Sequence, residues 1–417
     1  MDAMTNPELR IDLRQLVFAI AHAIDLVGVD DFFHGRRVGM MAAELGKLLG
    51  FDSEVCGTIY EAGLLHDCGV SSTRVHRRLV EELEWEGQQA HCDRGYALLL
   101  SYPPLAHLAE FVLHHHRRWS ALQDDGIDPQ VALISNLIHL ADRVDVLAAP
   151  HYADRTLLSQ VAQIRDRIAA CSGMLFAPRL VELFLVATGN EAFWLRLSPD
   201  SVRQYQDDVA HQARPTVLSW VDFKGCADLF ARIIDAKSSF TVEHSFGVAR
   251  LARFLAECVG LPGVRCEMVE VAGLLHDIGK LQIPDEILES PKALSQEEFD
   301  VMKSHSYATF QVLKRLGGID DIAAWAGLHH ESLDGSGYPF HAHAGDIPIE
   351  ARIIKVADIF QALAQNRPYR SALDAATILR NLVERVEAGL VDAEIVKLVG
   401  LHLETCLKLA TAGRAQD

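Results

Sequence analysis

Apolar residues recur along this chain at helical intervals and nowhere with convincing two-residue alternation, which predicts an almost entirely helical protein. From His34, the residues Val38, Met41, Leu45 and Leu48 fall on one helix face; from His244, so do Val248, Leu251, Leu255 and Cys258. A histidine that opens such a stripe is expected to face the interior of a bundle. Ser295 followed by Glu298 reads as a capping box opening a helix that carries His305, and Gly317-Gly318 closes it. The apolar stretch Leu16 to Val29 is interrupted by His22 and Asp25 and is too short to span a bilayer, so a core helix is expected there. Ser159 to Gly189 reads as helical. Asn190 to Pro215 is more polar, with Pro199, Asp200 and Pro215 as breakers.

The pattern repeats. Ala-Gly-Leu-Leu-His-Asp occurs at 62–67 and again at 272–277, an offset of 210 residues. His34 precedes His244 by the same 210, His91 precedes His305 by 214, His114-His115 precede His329-His330 by 215, and Asp142 precedes Asp358 by 216. Short loop insertions produce this drift. The segments 137–147 and 353–363 correspond as helices bearing the last of these residues. The expected architecture is therefore all-α, two tandem helical bundles, with the junction inside 200–215 and domains at 1–205 and 206–417.

Composition narrows the chemistry. A chain of 417 residues can bury two cores, and 49% hydrophobic with 23% charged residues is ordinary for a globular protein. The net charge of -18, without a basic run, argues against a nucleic-acid polymer as partner. It does not exclude a small phosphodiester, which a metal pair and a few cations can hold inside an acidic protein. Eight cysteines without a CxxC pair fit a reducing cytoplasm.

The second repeat carries the richest chemistry: His276-Asp277-Ile-Gly-Lys280, then His305, His329-His330-Glu331, the loop Asp334-Gly-Ser-Gly337-Tyr338-Pro339, Asp358, and Arg367-Pro-Tyr-Arg370. Neutral imidazoles bind borderline divalent metals, and a carboxylate can bridge two ions. His276-Asp277 offers both on adjacent residues, and His244, His305, His329, His330 and Asp358 could complete two coordination spheres.

These motifs, in this order, resemble the HD-GYP family of metal-dependent phosphodiesterases over roughly 217–409. The resemblance implies a bundle of about five core helices and two ions such as iron, manganese or nickel. One would be held by His244, His276, Asp277 and Asp358, the other by Asp277, His305, His329 and His330, with Asp277 bridging. It implies hydrolysis of cyclic di-GMP to pGpG or GMP by a hydroxide between the metals, with Asp277 and Lys280 catalytic. Lys280, Gly337, Tyr338, Arg367 and Arg370 would contact substrate. Three departures stand out: Phe240 replaces a Glu that holds a third metal in many relatives, Gln361 replaces a common Asp, and Ser332-Leu333 replace a frequent Arg-Trp.

The first repeat keeps a parallel set, His34, His66, Asp67, His91, His114, His115 and Asp142, as a second metal site. It has Val70 in place of Lys280, His116-Arg-Arg-Trp119 after the paired histidines and no GYP loop. Asp30 lies four residues before His34, within reach of a further ion. It reads as a diverged HD domain, either metal-loaded and regulatory or a packing relic. The expected function is a cytoplasmic cyclic-dinucleotide phosphodiesterase, with cyclic GMP-AMP hydrolysis and a non-hydrolysing receptor as alternatives. Its partners would be the dinucleotide, a second copy of the chain or a signalling protein.

Overall fold

The computed structural model describes residues 11–27, 33–70, 72–81, 87–124, 126–212, 216–237, 244–366 and 371–412; Asp30, Phe240, Arg367 and Arg370 lie outside them. Every regular element among the described residues is a helix. None is long and apolar enough to cross a membrane.

The chain folds as two compact units. The first runs from Leu13 to Thr216; the second takes Val217 onward together with Ile11 and Asp12. Ile11 and Asp12 join the second unit through the Leu218 N–H bond to the Ile11 carbonyl, 2.9 Å, and an antiparallel bridge between Asp12 and Val217. The division therefore falls later than 205/206. The cause is the stretch read as breaker-rich: Glu191–Leu195 and Pro199–Gln212 are helices. Pro199 stands at the first position, where a missing N–H costs nothing, and Val202 behind it is fully buried.

In each unit a helix opening with histidine packs on two others: His34–Leu48 on Ser53–Leu65 and Pro129–Ala148, and His244–Val259 on Gly263–Leu275 and Ile349–Ala364. The stripes bury Val38, Met41, Leu45, Val248, Leu251 and Leu255, whereas Leu48 is 58% exposed. Leu16–Asp25 lies within a core helix, Leu13–Asp25. The Ser295–Glu298 capping box opens Gln296–Lys314, and Gly317 and Gly318 follow it with positive φ. Close approach fixes the glycine after each His-Asp pair. A Cβ on Gly69 or Gly279 would stand 2.0 Å from the carbonyl oxygen of His91 or His305, so only glycine lets this turn lie against the next ligand-bearing helix.

Candidate metal centres

The second unit brings its sequence-identified ligands into one cluster. His276 caps the C-terminus of Gly263–Leu275, and Asp277 starts the tight turn that follows. His305 lies within Gln296–Lys314, Asp358 within Ile349–Ala364, and His329-His330 just beyond Asp320–Gly327. The two oxygens of Asp277 face opposite ways. Oδ2 lies 3.4 Å from His244 Nε2 and 3.2 Å from His276 Nε2; Oδ1 lies 3.5 Å from His305 Nε2 and 3.8 Å from His329 Nε2. Asp358 Oδ1 closes the first side, 3.4 Å from His244 and 3.9 Å from His276, and His330 groups with His305 and His329 on the second.

The ring nitrogens are oriented from behind. His276 Nδ1–H donates to the Gly273 carbonyl, His305 to Met302 and His329 to Ala326, at 2.8, 2.6 and 2.6 Å. Each bond fixes the tautomer that leaves Nε2 as an electron-pair donor toward the cluster. Burial lowers His305 to about 4, and burial with neighbouring histidines holds His329 and His330 well below the usual range, so all three are neutral. Burial opposes ionisation of Asp277, but His276, Lys280 and His244 outweigh it and keep the carboxyl well below its ordinary value. Asp277 Oδ1 is buried and accepts no hydrogen bond among the described residues. The neutral imidazoles of His305, His329 and His330 on one side, two ionised carboxylates and such an oxygen between the histidine groups fit a divalent metal pair.

Lys280 Nζ donates to Asp277 Oδ2 at 2.5 Å. Gly337 and Tyr338 belong to a loop clamped by the buried Glu331, whose oxygens accept from the Phe340 and Ala342 N–H at 2.6 and 3.0 Å. A Cβ on Gly337 would come within 2.3 Å of the Ser332 nitrogen, so glycine is required for the loop to close. Tyr338 then lies 4.8 Å, centroid to centroid, from the His330 ring. A cavity of about 400 Å³ opens here, lined by His330, Tyr338, Asp358, Lys303, Lys355 and Arg385; Lys280 is not on its wall.

The first unit builds the same skeleton. Asp67 Oδ2 lies 3.4 Å from His66 Nε2 and 3.9 Å from His34 Nε2, and Oδ1 lies 3.3 Å from His91 and 3.8 Å from His115. Asp142 Oδ1 closes the first side, 3.4 Å from His34. The fourth member of the other side is His116, which groups with Asp67, His91 and His115, and His114 does not. The helix Ala109–His114 places the two residues beyond its end, His115 and His116, in the centre. His115 Nδ1 bonds the Val112 carbonyl at 2.6 Å, as His329 bonds Ala326. The signal was present: the offset of 214 between His91 and His305 also relates His115-His116 to His329-His330.

Other residues went unforeseen. Asp145, at the position of Gln361, takes His34 Nδ1 at 2.8 Å and Arg37 Nε at 2.6 Å; in the second unit Gln361 Oε1 meets His244 Nδ1 at 2.5 Å. Arg143, fully buried, places Nε and Nη2 on Asp142 Oδ2 at 3.0 and 2.8 Å. The described cavity beside His34, His66 and Asp67 holds only about 10 Å³, and Val70 is on its wall.

Fold and centres together define an HD-type, metal-dependent phosphohydrolase in which the HD fold occurs twice. The HD domain family model matches residues 228–395, and a second HD domain model matches 32–171. The chain is 36% identical to the 3'3'-cGAMP-specific phosphodiesterase 1 of Vibrio cholerae serotype O1, over 98% of this chain and 95% of that protein. It is 32% identical to phosphodiesterase 3 of the same name and organism, over 89% and 78%. It is 39% identical to the cyclic di-GMP phosphodiesterase response regulator RpfG of Xanthomonas campestris pv. campestris, over 35% and 40%. The fold also matches the crystal structure of a cyclic GMP-AMP specific phosphodiesterase of V. cholerae, TM-score 0.64, 24% identity, over 96% of this chain and 98% of that one. The chain belongs to the HD-GYP family of phosphodiesterases, with a second, diverged HD domain in front.

Proposed function

We propose that the second unit hydrolyses 3'3'-cyclic GMP-AMP, with cyclic di-GMP as the second substrate to test. The observation that carries the reading is the bridging Asp277, its oxygens turned to two histidine groups, at a centre whose His330 and Asp358 form part of the wall of the 400 Å³ cavity. That volume suits a dinucleotide-sized ligand. Metal ions held there would supply charge neutralisation at the phosphate and a lowered pKa for water. Asp277 holds both sides of the centre together, and Lys280 is fixed on its Oδ2, where a non-bridging phosphate oxygen would come. The order of substrates reverses the expectation from motifs alone. Two relatives named for cyclic GMP-AMP, phosphodiesterases 1 and 3, align over 98% and 89% of the chain, whereas phosphodiesterase 2 of that name and the cyclic di-GMP relative RpfG align over 34% and 35%. In the same reading the first unit holds metal but does not turn over a dinucleotide, because Val70 stands where the second unit has Lys280 and no GYP loop follows its histidines.

The test is turnover of cyclic GMP-AMP, cyclic di-GMP and cyclic di-AMP by full-length protein loaded separately with manganese and iron. The fastest kcat/KM is expected for cyclic GMP-AMP. A faster rate on cyclic di-GMP would reverse the order, and tight binding without turnover of any of the three would make the protein a receptor.

A further inference from the structure

The wall of the 400 Å³ cavity carries cations that the metal chemistry does not use. Lys355 stands one helical turn before Asp358 and donates to the Glu331 carbonyl at 2.5 Å and to Ser332 Oγ at 3.1 Å. Arg385, from the helix Ala375–Glu387, reaches the same wall, and its buried Nε has no hydrogen-bond partner. Among the described residues neither side chain forms an ion pair.

Two cations side by side in a chain of net charge -18, with a buried guanidinium donor left over, are costly unless an anion arrives. A cyclic dinucleotide carries two phosphodiesters. When one meets the metal centre, the other lies across the macrocycle and still needs a partner. Arginine presents a planar fork suited to phosphate oxygens. We infer that Arg385, supported by Lys355, binds the second, non-scissile phosphate of the substrate. The assignment rests on the dinucleotide reading above.

The experiment compares cyclic GMP-AMP with bis(p-nitrophenyl) phosphate, which has a single phosphodiester, using full-length manganese-loaded wild type, Arg385→Leu and Arg385→Lys. Lys355 also holds the loop, so Arg385 carries the test. In Arg385→Leu the KM for the dinucleotide is expected to rise at least about tenfold more than the KM for the one-phosphate probe. Arg385→Lys should recover part of the loss. Equal changes on both substrates, or no change on the dinucleotide, would overturn the assignment. So would a penalty that appears with cyclic di-GMP but not with cyclic di-AMP, since Arg385 would then be reading guanine. A wild type that neither binds nor cleaves any cyclic dinucleotide would overturn the substrate reading as well, whereas an active wild type with an unaffected Arg385→Leu would sink this inference alone.

Discussion

The two centres share a skeleton of histidines around a two-faced aspartate and differ in what surrounds it. In the second unit the core cation, Lys280, sits on the bridging Asp277, and the centre borders a cavity of about 400 Å³. In the first, Val70 takes the lysine's place, a buried arginine sits on the terminal Asp142, and the described cavity is about 10 Å³. The outer ligand differs too. Asp145 gives His34 a carboxylate, itself held by Arg37, where Gln361 gives His244 a neutral amide. A histidine backed by a carboxylate is a stronger metal donor than one backed by an amide. The function proposed for the two units assigns retention to the first centre and access to the second, so that a shared set of ligand residues does not by itself imply a shared activity.

The widest separation is expected from paired deletions. His276→Ala with Asp277→Ala should lower dinucleotide turnover by at least about a thousandfold, because the bridging carboxylate serves both sides of the centre. His66→Ala with Asp67→Ala should remove metal and leave turnover within about tenfold, the size of ordinary coupling between domains. Metal content by plasma emission and folding by circular dichroism are read on the same samples. Abolished activity in a folded first-unit variant would end the division of labour. Lys280→Ala is expected to lower kcat by about ten- to a thousandfold while both metals stay bound. Loss of metal there would assign Lys280 to holding Asp277 rather than to the phosphate.

Exchanging the outer ligands tests the retention argument. Gln361→Glu should tighten metal at the second centre by about tenfold, and Asp145→Asn should loosen it at the first by about tenfold or more. Asparagine can still accept from Arg37, so charge rather than packing is the variable. Competition with a calibrated metal buffer reads both, and shifts of the same sign in the two variants would contradict the scheme.

How much of this was legible follows from where each signal lay. The repeated hexapeptide and the helical stripes located both bundles and nearly every histidine, because ligand spacing and apolar periodicity are local. His116 was missed because three consecutive histidines leave the register open between offsets of 214 and 215, and the end of the helix Ala109–His114 decides for 214. The boundary slipped because a proline that opens a helix looks, in sequence, like one that ends it. Asp145 behind His34, Arg143 on Asp142 and Arg385 beside Lys355 are tertiary juxtapositions, and no spacing rule announces them.

The smallest expected effect concerns a carboxyl near the second centre but outside it. Asp235 is buried, accepts from Ser245 Oγ at 2.8 Å, and is pushed up to about 6, chiefly by burial. Its counterpart 210 residues earlier, Asp25, is also buried but has the Arg36 guanidinium 3.9 Å away, whereas Phe246 stands at the arginine's position in the second unit. A carboxyl whose folded pKa exceeds its unfolded value of about 3.9 binds more protons in the native state between the two. Its contribution is fully present below about pH 4 and is lost as the pH rises through 6, leaving a buried charge at pH 7.5. Asp235→Asn removes that charge and can keep the bond to Ser245. The variant should therefore be more stable than wild type at pH 7.5, by on the order of 1 kcal/mol, with the gap closing toward pH 4. Urea midpoints at pH 4.5, 6 and 7.5 measure it. Cations at the metal centre favour the ionised carboxyl, so the gap should be narrower in metal-loaded protein than after chelation. A difference independent of pH would mean that burial does not hold the Asp235 carboxyl above its ordinary value.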